Sequence, residues 1–203
     1  MKAKLCYLLF LVALISLSYS CNSSTANTST NDSTSSANSN NYGGYASQAQ
    51  WGEHIVQIVG CGDCHTPKKM TAQGPVDDEA LFLSGSPSKV MLVPATPDQV
   101  AKGMAATVDL TAWVGPWGKS YTANITSDST GIGDWTEQQF INCIRKGVYK
   151  GLDKSRPLMP PMPWRYYAQM RDDELKAIFA FLKTTKEVHN IVPEYEPPAG
   201  GKK

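Results

Sequence analysis

Apolar positions recur at helical spacing in three stretches of the chain. Trp51, Ile55, Ile58 and Val59 share one face over 47–60 and predict a helix there, with Gly52 inside it. Phe140, Ile141, Ile144 and Val148 predict a second, opened by a Thr136/Gln139 capping box and closed at Gly147. Leu175, Ile178, Phe179 and Leu182 predict a third from about Asp172, where Asp172, Asp173 and Glu174 suit the positive helix N-terminus. Between the first two, turn residues dominate. Thr66-Pro67-Lys68-Lys69 and Gly74-Pro75 read as loop, and so does 76–120 apart from a short helix over 97–104.

The start of the chain changes the picture of where the protein resides. Lys2 and Lys4 precede an apolar run over 5–17, and small residues follow up to Cys21, which reads as an export signal over 1–20. The run is shorter than the roughly 20 residues of a transmembrane helix. Leu17-Ser18-Tyr19-Ser20-Cys21 resembles a bacterial lipobox, which implies lipidation at Cys21 and anchoring on the periplasmic side of a membrane. A plain secreted protein cleaved near Ser20 is the alternative. Residues 21–48 are almost all Ser, Thr, Asn, Ala and Gly, too polar to form a core, and predict a flexible tether. A domain over 49–190 and a flexible tail over 191–203 complete the division. The net charge of +1 argues against nucleic acid as a partner, and the five cysteines are too few for a disulfide framework.

Two of those cysteines lie in Cys61-Gly62-Asp63-Cys64-His65, the C-x-x-C-H spacing of covalent haem attachment. Thiols three positions apart on one turn each reach one vinyl group, and the following histidine lies under the iron. C-x-x-C also admits a thiol redox catalyst, but no βαβ pattern precedes it, and a zinc site lacks a second ligand pair. As proximal ligand, His65 needs an acceptor for its second ring N–H, and a loop carbonyl near Pro75 is the expected one.

Later motifs carry a resemblance over roughly 50–190. The C-G-D-C-H-T-P stretch, Asn124-Ile125-Thr126 leading to Gly131-Ile132-Gly133-Asp134-Trp135-Thr136, Met159-Pro160-Pro161-Met162-Pro163-Trp164, and the helix ending Ala180-Phe181-Leu182 occur in that order. In this the chain resembles class I cytochromes c. It is similar to the cytochrome c domains that accept electrons from membrane-bound alcohol and aldehyde dehydrogenases. The resemblance implies an all-α fold of three to five helices and long loops around one covalent haem c. It also implies Met162 as second axial ligand, with Met159 as the alternative. A thioether raises the haem potential and fills the site against dioxygen. Asn124, Thr126 and Trp135 match positions around the haem propionates, with loop capping and core packing as the other reading of each. Tyr121, Arg156 and Trp164 are further candidates there. Gly52 would let the first helix approach Phe179 or Phe181 of the last.

Remaining residues add little chemistry. His54 and His189 read as surface histidines, and Cys143 as a small buried hydrophobe. Arg145, Lys146, Lys150, Lys154 and Arg156 form a basic run that either steers an acidic redox partner or is an ordinary solvated face. The expectation is an electron carrier rather than an enzyme. It has redox proteins as donor and acceptor, from a dehydrogenase towards a terminal oxidase, and no small-molecule substrate. A haem enzyme or gas sensor with a labile sixth ligand is the rival.

Overall fold

The computed structural model describes residues 42–90, 92 and 96–198. The export signal, Cys21, residues 21–41 of the predicted tether and the last residues of the predicted tail, 199–203, lie outside the described residues. In chain order the helices are α1 (Gln48–Ile58), α2 (Cys61–His65), α3 (Pro97–Lys102), α4 (Glu137–Lys146), α5 (Trp164–Tyr167) and α6 (Asp172–Leu182). The strands are β1 (Lys68–Thr71), β2 (Gly74–Asp77), β3 (Ala105–Ala106), β4 (Ala112–Gly115) and β5 (Gly118–Tyr121).

The predicted all-α class is corrected. Among the described residues helix accounts for 34% and strand for 14%, and two small antiparallel sheets, β1-β2 and β3-β4-β5, make the fold mixed α and β. The turn signals that read as loop are hairpin turns. Gly74, at φ 111°, pairs with Thr71 to close β1 onto β2, and Gly115 pairs with Gly118 to close β4 onto β5. A salt bridge from Lys68 to Asp77 at 3.3 Å holds the open end of the first hairpin.

The three long helices form where the apolar spacing places them. Ser47 caps α1, its hydroxyl accepting from Gln50 N at 3.2 Å. Ile58 is 67% exposed, however, and Val56 is buried instead. The buried stripe of α1 is centred on Gly52, and Val56 stands one turn beyond it on the same side. At α4 the capping box forms as predicted, with Gln139 N to Thr136 Oγ1 at 3.1 Å and Thr136 N to Gln139 Oε1 at 3.0 Å. Thr136→Ala is expected to remove about 1 kcal/mol of stability, read as a melting temperature lower by about 2–4 °C. Gly147 ends α4 in the left-handed region, while Val148 lies outside the helix in extended backbone.

The core joins α1, α4 and α6. Phe140 of α4 and Phe179 of α6 meet at 5.6 Å between ring centroids, and Leu175, Ile178 and Leu182 complete the α6 face. A Cβ on Gly52 would lie 1.8 Å from the carbonyl oxygen of Ala177. Gly52 thus lets α1 meet the backbone of α6, not an aromatic side chain.

Candidate functional site

The C-x-x-C-H turn begins where Gly60, at φ 71° and ψ 32°, breaks α1 and lets α2 start in a new direction. Asp63 N bonds Gly60 O at 3.1 Å and Thr66 N bonds Gly62 O at 3.0 Å, so Cys61, Cys64 and His65 share one helical turn. Cys61 packs against the core, and Cys64 and His65 are half-buried.

His65 is fixed through its far ring nitrogen. Nδ1 lies 2.8 Å from the carbonyl oxygen of Ala123, so Nδ1 is the protonated position and Nε2 carries the free lone pair. The acceptor is therefore at Ala123 rather than near Pro75, which instead pairs with Met70 in the β1-β2 hairpin. Two bonds bring Ala123 there. Gly85 N donates to His65 O at 2.8 Å, and Ile125 N donates to Leu83 O at 3.0 Å. A Cβ on Gly85, at φ 76°, would lie 2.5 Å from Ala123 O, so only glycine admits this crossing. Thr66, fully buried, accepts from Leu83 N at 3.1 Å and locks the end of α2 onto the same loop. Burial holds the His65 imidazole below its ordinary pKa, against the opposing pull of the Ala123 bond, and so keeps it neutral.

The thiols have the opposite character from a redox catalyst's. Burial pushes Cys61 up to about 11, with Asp63 and Cys64 adding to the rise, and burial and Asp63 also raise Cys64. A thiol redox site depends on a lowered pKa, so this environment counts against that reading. Among the described residues no group of three or more His, Cys, Asp or Glu is placed to hold a metal ion. Cys143, on the buried face of α4, has its thiol raised to about 11 by burial, as a core residue.

The methionine segment leaves α4 through a short bridge between Val148 and Pro157, reinforced by Leu158 N to Gly147 O at 2.7 Å. Met159 and Met162 are both half-buried, and Met162 packs against the core cluster, as do Cys61 and Trp135. Met162 N bonds Met159 O at 3.3 Å, closing the turn between the two prolines. Beyond it, Tyr167 OH donates to Val59 O at 3.0 Å, tying α5 to the residue two before Cys61.

Asn124 and Thr126 are brought together, but mainly onto each other. Asn124 Oδ1 accepts from Thr126 N at 3.0 Å and from Thr126 Oγ1 at 2.7 Å. Asn124 Nδ2 donates to Thr130 Oγ1 at 3.0 Å and to Val188 O at 2.8 Å, which uses both amide hydrogens inside the protein. Trp135 packs on the core. The basic run is not a uniform patch. Arg145 pairs with Asp172 at 2.6 Å, Lys146 with Asp153 at 3.2 Å, and the Arg156 guanidinium lies 3.9 Å above the Tyr149 ring. His54 stacks on Tyr45, and His189 stands 3.5 Å from Asp128.

These residues fit a covalent haem. Paired thiols on one turn and a neutral histidine with a free Nε2 are the donor set that haem c requires. Ser86 is fully buried and its hydroxyl has no partner among the described residues. A hydroxyl in that state costs about 1–3 kcal/mol unless an acceptor meets it. Sequence reasoning had no means of singling out Ser86, since one serine in a Ser-Gly-Ser-Pro loop carries no pattern.

No family model matches the chain. Part of it is 38% identical over 79 residues to the gluconate 2-dehydrogenase cytochrome c subunit of Pantoea cypripedii, covering 38% of this chain and 16% of that protein. It is 34% identical over 79 residues to the cytochrome c subunit of the quinone alcohol dehydrogenase of Gluconobacter oxydans, covering 38% and 15%. The fructose dehydrogenase cytochrome subunit of Gluconobacter japonicus is 34% identical over 85 residues, covering 41% and 17%. The matched segment spans about one sixth of each of these curated relatives. These similarities support a cytochrome c domain in the chain.

Proposed function

We propose that the chain is a mono-haem c-type cytochrome that carries electrons between redox proteins. The observation that carries this reading is His65, held through Nδ1 by Ala123 on the turn that presents Cys61 and Cys64. The haem supplies one-electron chemistry at iron. The chain's own residues do the rest. Cys61 and Cys64 would give the thioether sulfurs, and His65 Nε2 and the Met162 sulfur would hold the iron. The Ala123 carbonyl would hold the His65 ring and its tautomer in place whether the iron is oxidised or reduced. No side chain has to act as acid, base or nucleophile. The relatives named above are subunits of dehydrogenases, which supports a dehydrogenase as donor, and a terminal oxidase is a fitting acceptor. Lipidation at Cys21 would place the domain on the periplasmic side of a membrane.

The test is to produce the full chain alongside haem-attachment machinery and stain a denaturing gel for covalent haem. One haem per chain is expected, lost in a Cys61→Ser/Cys64→Ser double variant. A colourless wild-type protein would end the proposal.

A further inference from the structure

The segment after α6 reads as a flexible tail in sequence, yet residues 190–198 make specific bonds to β5, to Trp117 O and to the Ser84–Ser86 loop whose Gly85 N holds His65 O. Glu196 pairs with Lys119 of β5 through both backbone bonds, Lys119 N to Glu196 O at 2.8 Å and Glu196 N to Lys119 O at 3.0 Å. Its carboxylate accepts from Tyr121 OH at 2.7 Å and Lys119 Nζ at 2.9 Å. A Cβ on Gly118, at φ 101°, would lie 2.1 Å from Glu196 O, so glycine there is what lets the tail close onto the hairpin. Burial and the Glu196 carboxylate push Tyr121 up to about 12, so its hydroxyl stays a donor throughout neutral pH.

From the tail, hydrogen bonds run inward to the methionine segment. Tyr195 OH donates to Trp117 O at 2.6 Å, the Trp117 indole N–H donates to Ser120 Oγ at 3.1 Å, and Ser120 Oγ donates to Pro160 O at 2.6 Å. Ser120 is 6% exposed, so neither its hydroxyl nor the carbonyl it serves is readily compensated by water. Pro160 lies between Met159 and Met162, in a stretch whose prolines have no N–H to anchor it. The Tyr195 ring also lies 5.3 Å from the Arg156 guanidinium at the start of that stretch. At its other end the tail reaches the histidine side. Asn190 Nδ2 donates to Ser84 O and Ser86 O, both at 2.8 Å, on either side of the Gly85 that bonds His65 O.

We infer that residues 190–198 form a clamp on the methionine segment, with Ser120 as the positioning residue that passes the tail's hold to Pro160 and so keeps the sixth ligand in place. This rests on the His/Met ligation proposed above. The segment can swing away from iron only by breaking the Ser120–Pro160 bond or by dragging β5 and the tail with it. Loosening any link therefore raises the population with an open sixth position while the thioethers and His65 stay in place.

Ser120→Ala and Tyr195→Phe each delete one hydroxyl with little change of shape, so both are expected to fold. The readouts are carbon monoxide binding by the ferrous protein and the pH at which the methionine–iron absorption band is lost. Ser120→Ala is expected to raise the fraction that binds carbon monoxide about tenfold and to lower that pH, with Tyr195→Phe showing a smaller change of the same sign. Both should keep full covalent haem content. Carbon monoxide binding and band loss unchanged within twofold in both variants, with the band present in wild type, overturns the clamp and leaves His/Met ligation standing. A wild-type holoprotein without the band overturns the ligation and the clamp with it.

Discussion

Met162→Ala is expected to leave the haem covalently attached and to remove the methionine–iron absorption band. It should also lower the reduction potential by a sizeable share of the ~0.8 V that axial ligands span. On the proposed function the attachment would survive because it would rest on Cys61 and Cys64, on a turn set by Gly60 and locked by Thr66. The potential falls because a soft thioether favours ferrous iron and nothing of the same softness replaces it. The open position would then bind carbon monoxide. Met159→Ala is the matched control. It is expected to keep the band, because Met162 is the methionine of the pair that packs against the core cluster, as Cys61 does. If the band disappears in Met159→Ala and persists in Met162→Ala, Met159 is the ligand. Carbon monoxide binding by the wild-type protein at rest would favour the haem enzyme or gas sensor over the carrier.

Where the sequence was legible, one local signal and one tertiary need agreed. Thr136 and Gln139 form a complete capping box, and Leu175, Ile178, Phe179 and Leu182 are buried because their spacing matches the α6 face that α1 and α4 cover. The sheets were not legible, for two reasons. The β1 and β2 residues are mostly exposed on both sides, so Lys68-Lys69-Met70-Thr71 shows no alternation of apolar and polar positions. The strands are also two to four residues long, close to the length of the turns that join them. At the site, side chains with dedicated chemistry were readable and backbone partners were not. Cys61, Cys64 and His65 announce themselves by spacing, whereas Ala123 contributes only a carbonyl and alanine carries no mark of that role. The bonds of the tail are hidden in the sequence for a related reason. Glu194-Tyr195-Glu196-Pro197-Pro198 has the composition of a linker, and its order comes from Gly118 and Lys119, more than seventy residues away.

Gly52→Ala is expected to destabilise the domain by about 3 kcal/mol or more, although the same change in an isolated helix would help by about 1 kcal/mol. The sign turns on what the new methyl group meets. Its position lies 1.8 Å from Ala177 O and 2.4 Å from Ala177 C, and these are backbone atoms inside α6, so no side chain can rotate to make room. The helices must separate instead, which loosens Val56, Leu175 and Ile178 together, all of them buried at or beside the crossing. At about 2–4 °C per kcal/mol for a domain of this size, the melting temperature should fall by roughly 10 °C. Gly103 provides the control, since a Cβ there meets nothing within 4 Å, and Gly103→Ala is expected to leave the melting temperature unchanged or slightly raised. The loss should also reach the haem site. α1 runs directly through Val59 and Gly60 into Cys61, and Tyr167 bonds Val59 O from the far side of the methionine segment. A shifted α1 therefore moves the haem-attachment turn relative to Met162, so surviving Gly52→Ala holoprotein should lose its methionine–iron band at a lower temperature than wild type. Equal melting of Gly52→Ala and Gly103→Ala would mean that the backbone of Ala177 does not come close enough to Gly52 to exclude a Cβ.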